Sequence, residues 1–132
     1  MLVEADGARD LACGMKALSI RLSKGMNRMM GRTGPVLEDR YHAHVLRTPR
    51  EVRNALAYVL LNHRSHLARN GDRVVPGGPD PFSSAVAFEG WRTPVAPAET
   101  ASKVTAVPRS WLLGVGWRRH GLISPDEIPA LR

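Results

Sequence analysis

The sequence predicts an α+β protein with two main helices and one or two strands, followed by an irregular arm and a short terminal helix. Three observations support this prediction. Apolar residues recur at helical spacing over residues 6–30 and again over 48–71. Residues 36–47 alternate in character as a strand does. Beyond residue 71 the chain is rich in proline and glycine, which limits regular structure there.

These patterns divide the chain into three segments. Residues 1–71 carry the predicted helices and strands, residues 72–107 form an arm rich in Pro, Gly and Ser, and residues 108–132 form a short helical extension. The length of 132 residues is that of one domain. We expect the arm to lie over the body, with Phe82, Phe88 and Trp91 as its anchors.

The first predicted helix begins after Asp6, as its N-cap, and runs to about Met30. Its apolar residues follow one another at steps of four and three, namely Leu11, Met15, Leu18, Leu22, Met26 and Met29. We expect this stripe to face a core. Basic residues occupy the other faces, where they are either solvated surface or contacts to phosphate.

The second predicted helix has a marked beginning and end. Thr48 caps its first turn, Pro49 fits the first helical position, and Glu51 completes a capping box. Gly71 supplies the left-handed stop at the other end. The side chains expected to face the core are Val52, Leu56, Val59, Leu60, His63 and Leu67.

Tyr58 and Asn62 lie off this stripe and, four residues apart, share a face of the helix. A phenol can attack a phosphodiester and hold the broken strand as a phosphotyrosine. Such attack needs a metal or other cations, because the phenol ionises only near pH ~10. The side-chain oxygen of Asn62 could join the shell of that metal. The alternative is a tyrosine that is simply hydrogen-bonded at the flank of a helix.

The charge of the chain points to a polyanionic partner. Nineteen basic against twelve acidic residues give a net charge of +7. Nucleic acid is the commonest such partner and a membrane surface is the rival. No uninterrupted apolar run of about 18 residues is present to span a bilayer. The single Cys13 excludes an internal disulfide and a thiolate zinc cluster, and it fits a reducing cytoplasm.

His42 and His44 would point to the same side of the predicted strand, where the two imidazoles could coordinate one metal ion. The alternative is that both rings line an exposed or DNA-facing side. The sequence contains no phosphate-binding glycine-rich loop and no nucleophile elbow, so nucleotide hydrolysis and serine hydrolase chemistry have no support.

Several motifs follow one another in a recognisable order. A strand end LVEA leads to a long helix with the run MKALSIRLSKGMNR, then a GRTGP turn, a DRY strand and a helix with the pattern Y-x-x-x-N. Over about residues 2–70 this order resembles the C-terminal half of REP-associated tyrosine transposases, in the single-tyrosine HUH superfamily. The tail motifs DPFSSA and WLLGVGWRRHGLI are similar to the tails of one branch of that family.

The resemblance implies a ferredoxin-like α+β domain that cuts and joins single-stranded DNA at hairpin-associated sites, with a divalent metal such as magnesium or manganese. It implies that Tyr58 is the nucleophile and that Asn62 helps to hold the metal. Our candidates for contacts to DNA phosphates are Arg21, Lys24, Arg28, Arg40 and Arg47.

The sequence also departs from the family pattern. The two metal-binding histidines of the family precede its LVEA-like strand end, so we expect this chain to lack its N-terminal half with those histidines. A metal would then be held by Asn62 together with histidines outside the chain, or the chain would bind none. His42 and His44 align with a later strand and are not that pair. Asn62-His63-Arg64 replaces the N-P-V of the family.

Two functions therefore stay open at the level of the sequence. One is a transposase-like protein that binds single-stranded or hairpin DNA and cleaves it through Tyr58. The other is a non-catalytic basic DNA-binding remnant, or a decayed gene fragment. Without partners in a sheet, strands at 2–5 and 40–47 would expose their edges, so we expect this chain to be marginally stable or to self-associate.

Overall fold

The chain forms two compact units. The computed structural model describes residues 1–37, 41–71, 78–80, 82–95 and 105–129. Val3–Val45 form an N-terminal unit, and Met1–Leu2 together with Leu46–Arg132 form a larger unit. Helix accounts for 52% of the described residues and β-structure for 2%. The protein is therefore mainly helical.

The predicted ferredoxin-like α+β fold is wrong. Within the described residues there is no sheet, and neither 2–5 nor 41–47 forms a strand. The β-structure consists of a single parallel bridge between Trp91 and Ile123. Alternating side chains over 41–46 are not sufficient for a strand, because its backbone N–H and C=O groups also need a partner strand. Residues 38–40 of the predicted strand lie outside the described part of the chain.

Helix α1, Ala8–Met30, belongs to the N-terminal unit. Its N-cap is Gly7 rather than Asp6, and no side chain caps the first turn. It ends at Gly31, whose left-handed φ of 60° favours glycine. None of its residues is buried, and Met29 is 88% exposed. The expectation that its Leu and Met stripe faces a core is therefore wrong for this structure.

Helix α2, Pro49–Arg69, has the predicted N-terminus. The backbone N–H of Glu51 donates to Thr48 Oγ1 (3.2 Å), and the N–H of Thr48 donates to Glu51 Oε2 (3.0 Å). The capping box is thus confirmed, as is the positive φ of Gly71, 76°. Leu61 has non-helical dihedral angles, φ −118° and ψ 18°, which place a kink in the middle of the helix.

The buried face of α2 only partly matches the predicted stripe. Val52, Leu56 and Leu60 are buried as expected, whereas Leu67 is 38% exposed. The structure instead buries the residues on the neighbouring side, Ala57, Leu61, Arg64 and Ser65. The polar side chains of Arg64 and Ser65 each face a polar group of the C-terminal segment. Ser65 Oγ donates to the carbonyl of Pro129 (3.2 Å), and Arg64 faces Asp126 at 3.7 Å.

The face of α2 is covered by segments from the second half of the chain. They are a 3₁₀ turn at Ser84–Ala87, the short helix α3 at Trp111–Gly114 and a 3₁₀ turn at Gly116–His120. Trp117, at 2% exposure, and Ile123, at 0%, lie in the same apolar cluster as the buried residues of α2. This cluster is the core of the larger unit.

The arm is anchored by some of its aromatic residues. Trp91 is buried, and its indole Nε1 donates to the carbonyl of Ala85 (3.1 Å). Phe88 packs edge-on against Trp91, with ring centroids 5.2 Å apart. Phe82 is 97% exposed and anchors nothing. Two of the three predicted anchors therefore hold the arm.

A bidentate ion pair fastens the C-terminal segment to α2. Arg53 Nη1 and Nη2 donate to Glu127 Oε1 (2.6 Å) and Oε2 (2.7 Å). These hydrogen bonds lower the pKa of Glu127 and raise that of Arg53, so both groups are charged at neutral pH.

None of the helices in the described ranges combines the length and the apolar character needed to cross a bilayer.

Candidate nucleic-acid interface

Tyr58 lies on the outer side of α2. The core of the larger unit contacts the opposite side of the helix, through Leu56 and Leu60, and leaves Tyr58 42% exposed. The prediction that this tyrosine is not core filling is in accord with that exposure. Tyr58 therefore lies on a surface that a large ligand can reach.

Asn62 follows one turn after Tyr58, just beyond the kink at Leu61. Its Oδ1 atom is buried and has no hydrogen-bond partner among the described residues. A buried acceptor without a donor costs about 1–3 kcal/mol. A ligand that donates a hydrogen bond to Asn62 Oδ1 would remove this cost.

A shallow depression of about 330 Å³ adjoins Asn62. Its lining combines apolar and polar side chains from α2 with two residues of the arm, in order Val59, Leu60, Asn62, His63, His66, Asp80 and Ser83. The arm residues are fixed by local hydrogen bonds. Asp80 Oδ1 accepts from the N–H of Phe82 (2.9 Å), and Ser83 Oγ donates to the carbonyl of Asp80 (2.8 Å).

The surroundings of His63 lower the pKa of its side chain. Its partial burial lowers the pKa of the imidazole below the ordinary value, because desolvation disfavours the charged form. The carboxylate of Asp80 acts in the opposite direction, and the positive charge of Arg64 lowers the pKa further. His63 is therefore neutral at pH 7, with one ring nitrogen free to donate and the other to accept.

The described residues do not supply a divalent metal site. Asn62 Oδ1 is a suitable oxygen ligand, but no three His, Cys, Asp or Glu residues in this part of the chain are placed to hold an ion. This includes the predicted pair His42 and His44, which lie in a segment without regular structure. Among the described residues, Asn62 Oδ1 would therefore be one ligand of a metal ion, and the other ligands of its shell are not present there.

The predicted phosphate contacts fall in both units. Arg21, Lys24 and Arg28 are exposed on α1, and their spacing of three and four residues puts them on one face. Arg47 is exposed directly before α2, and its backbone N–H donates to Glu51 Oε2 (2.7 Å). Arg40 lies outside the described residues.

Sequence reasoning missed three residues beside Asn62. His66 could have been found from its spacing, since it lies one turn after Asn62 on the same face. No comparable signal pointed to Asp80 and Ser83. They reach the depression from the arm, after a Pro- and Gly-rich stretch whose path the sequence does not define.

Comparison with known proteins gives no relative for this chain: no family model matches it, and no curated protein or solved structure does.

Proposed function

We propose that this protein binds single-stranded or hairpin DNA, as a relative of the REP-associated tyrosine transposases. The observation that carries the proposal is the basic face of α1, on which Arg21, Lys24 and Arg28 are exposed together. The net charge of +7 supports it, because a protein with this excess attracts polyanions at long range.

The dimensions of this basic face suit a phosphate backbone. Arg21 and Arg28 are seven residues apart, so they are separated by about 10 Å along the helix axis. That length corresponds to about three nucleotide steps of 3.4 Å. The apolar residues of α1 lie on another side of the helix and leave the three cations free to approach phosphates.

Salt dependence tests this proposal. We expect binding of a fluorescent DNA hairpin with a single-stranded flank, followed by anisotropy, to weaken steeply as salt is raised. Replacing Arg21, Lys24 and Arg28 together by alanine should lower the slope of log K against log salt by about 2 to 3, since each lost phosphate contact removes about 0.7 to 0.9.

The matched control keeps the charge at these positions. Arg21→Lys with Arg28→Lys should retain the salt slope of the wild type, because lysine neutralises a phosphate as arginine does. Helix content measured by circular dichroism should be the same in all variants. Salt-insensitive binding, or no binding, would overturn the proposed function.

Strand cleavage by Tyr58 is the second candidate function. The exposure of Tyr58, together with the unpartnered Oδ1 of Asn62 one turn away, favours it. In this step the phenolic oxygen attacks the phosphorus. The Oη–P bond forms as the P–O3′ bond breaks, and the phenolic proton is balanced by protonation of the leaving 3′ oxygen. The products are a 5′-phosphotyrosine and a free 3′ hydroxyl.

The two tyrosines of the chain offer a matched test of cleavage. After incubation with a labelled single strand and magnesium or manganese, a denaturing gel should show a protein–DNA adduct that Tyr58→Phe abolishes. Tyr41→Phe should retain the adduct, although Tyr41 is as exposed as Tyr58 (45% against 42%). A wild-type chain that binds the strand without forming an adduct would refute cleavage and leave binding as the function.

A further inference from the structure

Two consecutive arginines near residue 120 each stack on a tryptophan. The guanidinium carbon of Arg119 lies 4.9 Å from the ring centroid of Trp111, and that of Arg118 lies 5.3 Å from the ring of Trp117. Both arginines are exposed, and His120 follows them at the end of the same 3₁₀ turn. Neither arginine has an ion-pair partner among the described residues, in contrast to Arg53.

The two rings beneath these arginines differ in their surroundings. Trp117 is 2% exposed and packs against Phe88, with ring centroids 5.6 Å apart. Trp111 is 52% exposed and contributes little to the core. Its ring nevertheless lies directly against the backbone of Gly116, since a Cβ atom at that residue would be 2.6 Å from Trp111 Cζ3. The indole therefore rests on backbone and leaves much of its surface to solvent.

Stacking prepares the guanidinium groups for a ligand. A guanidinium over an aromatic ring is held in place by the cation–π attraction and has fewer rotamers to lose when it binds. Its N–H donors stay available for bidentate contacts to phosphate. An exposed aromatic ring beside unpaired cations is the combination with which proteins bind single-stranded nucleic acids.

We propose that Trp111, Arg118 and Arg119 form a second contact surface for single-stranded DNA. The two guanidinium groups bind the phosphates of the strand, and an unpaired base packs on the exposed part of the Trp111 indole, which Arg119 and the Gly116 backbone leave open. This inference rests on the proposed function and adds a surface, here called the Trp–Arg surface, whose residues differ from Tyr58 and from the basic residues of α1.

Trp111→Ala tests the stacking part of the proposal. With a fluorescein-labelled oligothymidine single strand as the probe, we expect binding to weaken about tenfold, because the variant loses the aromatic surface on which a base packs. Binding of a blunt duplex of the same length should change little, because its bases are already stacked on one another. Trp111→Phe should keep most of the affinity for the single strand, since it retains an aromatic face.

Paired substitutions test the phosphate part. Arg118→Ala with Arg119→Ala should lower the salt slope for the single strand by about 1 to 2, at about 0.7 for each contact. Arg118→Lys with Arg119→Lys should keep that slope. Thermal unfolding should change little in each variant, because the three side chains changed are exposed or half-exposed.

The outcomes separate the two proposals. Absence of single-strand binding by the wild type would overturn the proposed function, and this inference with it. A wild type that binds, together with Trp111 and arginine variants of equal affinity, would overturn the Trp–Arg surface alone. Loss of binding to phosphatidylserine vesicles in these variants, with DNA affinity unchanged, would likewise overturn it by assigning the surface to lipid.

Discussion

Trp117→Ala is expected to destabilise the larger unit by about 3–5 kcal/mol, the usual range for removing a buried tryptophan or phenylalanine. Trp117 is 2% exposed and shares the core with Leu61 and Ile123. Its loss would leave a cavity between the 3₁₀ turn at Gly116–His120 and α2. Because small domains have only about 5–15 kcal/mol of stability in total, a large part of it would be lost.

Urea unfolding followed by circular dichroism measures this effect. Trp111→Ala is the matched control, since it removes the same side chain from a position that is 52% exposed. We expect the control to cost about 1 kcal/mol or less, as surface substitutions usually do. Similar losses of stability in the two variants would show that Trp117 is not the central core residue described above.

Gly90→Ala is expected to destabilise the same unit by about 1–3 kcal/mol through overpacking. A Cβ atom at residue 90 would lie 2.4 Å from Phe88 Cζ and 2.4 Å from Trp117 Cη2. The backbone at residue 90 cannot easily move away from the two rings, because the carbonyl of Gly90 accepts a hydrogen bond from Ile123 N–H (3.2 Å). The rings of Phe88 and Trp117 must shift instead.

The control for Gly90 is another glycine of the same unit. At Gly114 a new Cβ would meet only Pro108 Cβ at 3.9 Å, an ordinary contact, and alanine is the better helix former there. Gly114→Ala should therefore be neutral or slightly stabilising. Adding Phe88→Ala to Gly90→Ala should cost less than the sum of the two single changes, since it removes one of the clashing rings. Additive costs would contradict the steric explanation.

The sequence predicts those features that depend on neighbouring residues along the chain. The capping box of Thr48 and Glu51 forms between residues that are close in sequence, and the structure contains it. The off-stripe position of Tyr58 follows from helical spacing alone. These features need no knowledge of what packs against the helix.

The features that the sequence mispredicts depend on distant partners. The buried face of α2 is turned toward Arg64 and Ser65 because Asp126 and the carbonyl of Pro129 lie beside them. The spacing of apolar residues along α2 cannot predict that Arg64 and Ser65 are buried, because such a pattern assigns arginine and serine to the surface. The predicted strands at 2–5 and 40–47 rest on local sequence patterns, but strands also require a paired backbone, which the described residues lack.

The attachment of the C-terminal segment to α2 has a consequence for biosynthesis. Arg53 and Glu127 are 74 residues apart in the chain, and Ser65 and Pro129 are 64 apart. When α2 leaves the ribosome, the segment that covers its apolar face has not yet been translated. Leu56, Leu60 and Leu61 must then remain open to solvent or to a chaperone until residues 117–129 emerge. The larger unit is thus expected to fold after its synthesis rather than during it.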